Sequence, residues 1–116
     1  MKPGKEFLKG CTETIVLKLL AERRRYGYEL VQEIRERTGG LLGLRQGTVY
    51  PLLYTLERKG LVEGVWDRAG GEGERRRKYY ALTPEGRRAV SEDLAQWAVL
   101  ARGMSLLLGG KHASSH

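Results

Sequence analysis

Apolar positions repeat first at helical and then at strand spacing. From Lys5 to Arg23, Leu8, Cys11, Ile15 and Leu19 share one face and Val16 and Leu20 widen it, which predicts an amphipathic helix. A turn at Tyr26 and Gly27 leads to a second predicted helix, Tyr28 to Thr38. Leu30, Val31 and Ile34 form its buried stripe, and Gly39 and Gly40 end it. After a loop from Leu41 to Arg45, the stretch Gly47 to Val62 carries Val49, Leu52, Leu53 and Leu56 at i, i+3, i+4 and i+7. Thr48 is the expected N-cap of this third helix and Gly60 its C′ residue. Pro51 is expected in the first turn, where a missing N–H costs nothing. Gly47, Tyr54 and Arg58 then lie opposite the apolar stripe, with Thr48 and Tyr50 on its flanks.

Beyond Gly60 the period shortens. Val62 to Trp66, ending near Asp67, and Arg77 to Leu82 read as two strands. The glycine-rich loop between them, Arg68 to Arg75, is expected to be mobile at its tip. Thr83, Pro84 and Glu85 make an N-cap, N1 and first-turn acid for a last helix, whose first turn Gly86 weakens slightly. Along it Val90, Leu94, Trp97, Ala101, Met104 and Leu108 follow at spacings of 4, 3, 4, 3 and 4. This is a heptad seam that needs a partner. The chain's own first helix can cover part of it, and a second subunit the rest, so a homodimer is expected. Gly109 and Gly110 end the helix, and the tail to His116 is expected to be disordered.

The layout is mainly α (α+β): a winged helix-turn-helix with a two-stranded wing and a long C-terminal dimerisation helix. The winged helix-turn-helix domain spans residues 5–82, the dimerisation helix 83–108 and the tail 109–116.

Charge bears on the partner. With 116 residues and 41% hydrophobic positions one globular domain is expected, and the net charge of +7 favours nucleic acid or an anionic surface, with solubility alone as the plainer alternative. Arg23, Arg24 and Arg25 read first as a solvated helix end at the negative pole of the first helix, with a phosphate contact as the secondary reading. Cys11 is the only cysteine, and no signal peptide or run of roughly 18 apolar residues is visible, so a cytoplasmic protein without a membrane partner is expected. An enzyme is not expected. The two histidines, His112 and His116, both lie in the tail, and there is no phosphate loop, metal-ligand pattern or cofactor motif.

Three strings in order, YGYEL (Tyr26 to Leu30), GTVYPLLYTLERKGLV (Gly47 to Val62) and RRKYYALTPEG (Arg76 to Gly86), resemble the PadR family of bacterial transcriptional regulators. The resemblance covers about Leu8 to Leu108, and the short C-terminal part is similar to the compact subgroup with a single dimerisation helix. It implies a homodimer that binds an operator and represses transcription, and in some members a small molecule that releases the DNA. The alternative is a winged-helix module for protein or RNA without operator specificity.

In such a fold the third helix enters the major groove by its N-terminal end. Gln46 and Thr48 then face base edges, Gly47 offers backbone N–H groups to a phosphate, and Tyr50, Tyr54 and Arg58 reach phosphates or sugars; for Tyr50, which borders the buried stripe, a half-core role stays equally open. The wing offers Arg75, Arg76, Arg77 and Lys78 to phosphates; strand alternation allows about half of them to meet one backbone track. Tyr79, Tyr80 and Trp66 are expected to pack. Val90, Leu94, Trp97, Ala101, Met104 and Leu108 are expected at the dimer interface. Two readings stay open for Trp97: a plain interface aromatic, or one wall of a cleft on the twofold axis for a flat aromatic or cationic ligand, with Leu8 and Ala101 beside it.

Overall fold

The computed structural model describes Pro3, Leu8 and residues 10–67 and 77–109. Its elements are α1 (Thr12–Glu22), β1 (Arg25–Tyr26), α2 (Gly27–Arg37), α3 (Gln46–Arg58), β2 (Val62–Trp66), β3 (Lys78–Leu82) and α4 (Pro84–Leu108). The strands form one antiparallel sheet in the order β1-β3-β2. The helical domain and the β2–β3 hairpin match the expected winged helix-turn-helix. Arg75, Arg76, the loop tip and the tail from Gly110 lie outside the described residues.

One core joins the first three helices to the sheet. Val16, Leu17 and Leu20 of α1, Leu30 and Ile34 of α2, and Val49, Leu53 and Leu56 of α3 close around Val62 and Tyr80. Helix α1 differs from expectation in two ways. Its continuous run begins at Thr12, after a turn at Gly10 and Cys11, because glycine is a poor helix residue. Its deepest residues are Val16, Leu17 and Leu20 rather than Ile15 and Cys11, because α1 is covered on two sides, by β3 and by α4.

The arginine cluster is also revised. Arg25 is the buried charged residue among those described, at 4% exposure. Its Nε lies 2.5 Å from Glu33 Oε2, one Nη lies 3.1 Å from Glu22 Oε1, and the other donates to the carbonyl of Leu19. A guanidinium out of water requires such charged partners. It enters the interior because residues 25 and 26 pair with Tyr80 and Tyr79 as a short third strand, and alternation turns Arg25 inward. A two-residue strand has no periodicity to read.

Both ends of the hairpin are fixed by capping. Gly60, at φ 79°, ends α3 with its N–H on Glu57 O at 3.0 Å, and Leu61 N–H reaches Leu56 O at 2.9 Å. Thr83 Oγ1 accepts from Gly86 N at 3.0 Å and donates to Gly60 O at 2.6 Å, tying the start of α4 to the end of α3. Gly86 is a packing requirement rather than a weak point, since a Cβ there would stand 2.0 Å from the Leu61 carbonyl oxygen.

Candidate nucleic-acid interface

Helix α3 is capped three residues earlier than expected. Arg45 is the N-cap, and its carbonyl accepts from Thr48 N at 2.9 Å and Val49 N at 3.0 Å. Leu44, buried just before it, fixes the entry. Thr48 is therefore inside the first turn and is not the cap, and Pro51 is an interior helical residue. The carbonyl of Gly47 thereby loses the donor that residue 51 would have supplied. Gly47 is exposed, so that acceptor is open to water.

Val49, Leu53 and Leu56 are fully buried. The opposite face is open: Gln46, Gly47, Tyr50, Tyr54 and Arg58 are exposed and Thr48 is half-buried. Tyr50 packs over Gly27 at the start of α2, which holds one edge of this face in place. Tyr54 is 63% exposed, and the Arg58 guanidinium lies 5.8 Å from its ring centroid. Arg45 adds an exposed guanidinium at the helix N-terminus. With Thr48 as the expected cap, Arg45 falls in the loop; the observed cap brings it to the helix end.

The wing cations divide. Arg77 is exposed, with its guanidinium 4.4 Å from the Tyr26 ring centroid. Lys78 is turned to the other side, where its ammonium lies 3.1 Å from Glu57 Oε1 and near the Trp66 and Tyr80 rings. It serves an ion pair between β3 and α3, so its expected phosphate contact is not favoured by this conformation. Lys59 likewise pairs with Glu13 of α1 at 3.3 Å. Tyr80 is buried as expected, Tyr79 is half-buried and Trp66 is 50% exposed.

On α4 the seam splits at Val90, which is buried inside the subunit and has little surface left for a partner. From Leu94 onward the residues are open, and Val99, Leu100, Leu106 and Leu107 widen the apolar surface beyond the heptad positions. Thr14 Oγ1 donates to Asp93 Oδ2 at 3.2 Å where α1 crosses α4. Beside that contact an open groove is lined by Cys11, Glu13, Asp93, Gln96, Trp97 and Leu100, among others. Leu8 lies in a different hollow, with Thr12, Leu44, Arg45 and Thr48, and Ala101 does not line the Trp97 groove. Within one subunit the expected trio of Trp97, Leu8 and Ala101 is therefore not assembled.

A three-helix core, an exposed polar helix face and an adjoining antiparallel hairpin define a winged-helix protein. The sequence profile of the transcriptional regulator PadR-like family matches residues 16–92, and the chain belongs to that family. Its class is that of DNA-binding transcription regulators, not enzymes. The chain is 36% identical over 107 residues to transcriptional regulator Rv3488 of Mycobacterium tuberculosis, covering 92% of each. It is similar to the crystal structure of a PadR family transcriptional regulator from Eggerthella lenta, with a TM-score of 0.76 and 38% identity, over 90% of this chain and 87% of that one. Its fold also matches Bacillus subtilis PadR in complex with operator DNA, with a TM-score of 0.66 and 23% identity, over 72% of this chain and 46% of that one. Among the described residues no helix is long and apolar enough to cross a membrane.

Proposed function

We propose that this protein is a homodimeric, cytoplasmic repressor that binds an inverted-repeat operator. The observation that carries this reading is the open face of α3, on which Gln46, Gly47, Tyr50, Tyr54 and Arg58 are exposed. Gln46 and Thr48 read bases in the major groove, while Tyr50, Tyr54, Arg58 and the wing arginines, Arg75 and Arg76 with Arg77, hold phosphates. The α4 surface from Leu94 to Leu108 seats the second copy. An apolar face of this extent on a small basic subunit is supported by its own twofold image, which would set the spacing of the two α3 helices. Residues 5–82 act as the reading unit and 83–108 as the dimerising one.

An effector site at Trp97 is supported by its half-open indole and by the Glu13 and Asp93 carboxylates in the same groove. An aromatic face beside two carboxylates suits a flat aromatic cation. Such a ligand, inserted between α1 and α4, would change the angle between the two reading heads and release the DNA.

Sedimentation of the wild type and of Met104→Lys, each with and without DNA fragments recovered from a genomic library, tests this reading. A wild-type dimer that binds one inverted repeat, and a folded variant that is monomeric and binds it poorly, is the expected outcome. A wild-type monomer, or a monomeric variant with undiminished affinity, contradicts it.

A further inference from the structure

The three consecutive arginines have separate fates. Arg25 is buried on Glu22 and Glu33. Arg23 is bound by Glu33 at 3.1 Å and Glu29 at 3.6 Å. Arg24, between them, is exposed and has no carboxylate partner among the described residues. Its guanidinium lies 4.5 Å from the centroid of the Tyr79 ring, and one Nη donates to the Tyr79 hydroxyl at 3.3 Å.

Arg77 mirrors this arrangement. Residues 26 and 79 are register partners, so their side chains leave the same side of the sheet, opposite to the buried pair Arg25 and Tyr80. Arg24, from the β1 side, stacks on Tyr79 of β3, and Arg77, just before β3, stacks on Tyr26 of β1. The two rings meet edge to face at 5.8 Å. The nearby acids are already engaged: Asp67 accepts from the Tyr26 hydroxyl at 2.6 Å, and Glu29 accepts from Tyr26 N at 2.9 Å and pairs with Arg23. Arg24 and Arg77 are the guanidiniums of this cluster without a carboxylate partner among the described residues, while Asp67, bonded to a neutral hydroxyl, keeps its negative charge beside Tyr26.

The cluster also adjoins the reading helix. Gly27, next to Tyr26, is the residue under the Tyr50 ring of α3. The open face of α3, the start of α2 and the root of the wing therefore make one continuous surface.

We propose that Arg24 and Arg77, crossed over the Tyr79 and Tyr26 rings, form a phosphate clamp that grips the DNA backbone between the groove-reading helix and the wing. Contact with a ring restrains each guanidinium before DNA arrives, so less side-chain entropy is lost on contact, and the planar fork suits a phosphate. The clamp contributes affinity and register rather than sequence choice. It rests on the operator-binding reading above and adds to it a residue, Arg24, outside both the recognition helix and the wing.

The test is a salt titration of binding to an end-labelled mixed-sequence duplex longer than two helical turns. Wild type, Arg24→Ala, Arg24→Lys, Tyr79→Leu and, as a control on exposed α2, Arg35→Ala are compared, each checked for folding by circular dichroism. Arg24→Ala is expected to weaken binding several-fold and to flatten the slope of log affinity against log salt by about one. Arg24→Lys and Tyr79→Leu are expected to keep the slope, because the charge remains, while losing affinity through the lost stack. Arg35→Ala should match wild type. A folded Arg24→Ala protein with wild-type slope and affinity overturns the clamp. A wild type that binds no duplex even at low salt overturns the operator reading itself, and the clamp with it.

Discussion

The ring of Tyr50 lies where a side chain at Gly27 would have to go: a Cβ there would stand 2.6 Å from the ring. The first residue of α2 is thus shaped by a residue on the reading face of α3. Gly27→Ala is expected to push that ring aside and to destabilise the fold by about 1–3 kcal/mol, the usual range for overpacking. Gly86→Ala should be worse, because its neighbour is the Leu61 backbone carbonyl at 2.0 Å, which cannot swing away. Urea unfolding of the two variants checks the order, and equal midpoints would contradict it.

Gly47 presents the opposite case. Nothing lies within 4 Å of a Cβ built there, and its φ is not positive, so alanine fits the helix. Gly47→Ala should raise stability by about 0.4–1 kcal/mol by restricting the unfolded chain. It should also weaken DNA binding, because the added methyl stands on the face that approaches the backbone. Thermal melts paired with affinity measurements separate the two effects. A variant with both properties unchanged would remove Gly47 from the interface.

The carboxyl of Glu22 is held down at about 2, first by the Arg37 hydrogen bond, against the opposing effect of burial and with help from Lys18 and Arg25. Glu33 is also lowered, chiefly by the Arg25 hydrogen bond. The unfolded chain takes up the Glu22 proton at its ordinary value of 4.5. Its contribution is therefore complete above that pH and is lost as pH falls from about 4.5 toward 2. Glu22→Gln should lose less stability than wild type across this acid window. Parallel acid limbs in the two unfolding series would contradict the assignment.

Much of this arrangement was legible in the chain. The α3 stripe, the Gly60 stop, the Thr83-Pro84 start and the two wing strands follow from local rules, and the structure bears out each of them. What escaped was set by tertiary contact. The α3 start depends on Leu44 being buried, β1 on pairing with β3, and Gly86 on the Leu61 carbonyl. The fates of Arg25 and Lys78 were hidden for the same reason: a basic residue in sequence shows its charge but not the acid that faces it. At the interface, the exposed stripe of α3 follows from helical periodicity and the arginine cluster from its charge, whereas separating Arg24 from its paired neighbours and finding Arg45 require the ion pairs and the cap to be seen.

Trp97 is 47% exposed beside Glu13 and Asp93. In a Trp66→Phe background its fluorescence reports on the groove alone. Planar aromatic cations are expected to quench it and, over the same concentration range, to lower DNA affinity, as reciprocal coupling requires. Neutral or anionic aromatics should do neither. Absence of quenching across a broad cationic panel would leave Trp97 as an interface packing residue.

In the proposed dimer, two α3 helices, set apart by paired α4 helices, read one symmetric site. Hydroxyl-radical footprinting of a site selected from genomic fragments tests it most directly. Two equivalent protected patches, related by a dyad and about 34–36 Å apart along the duplex, are predicted. A single patch, or uniform protection of every fragment, would contradict it.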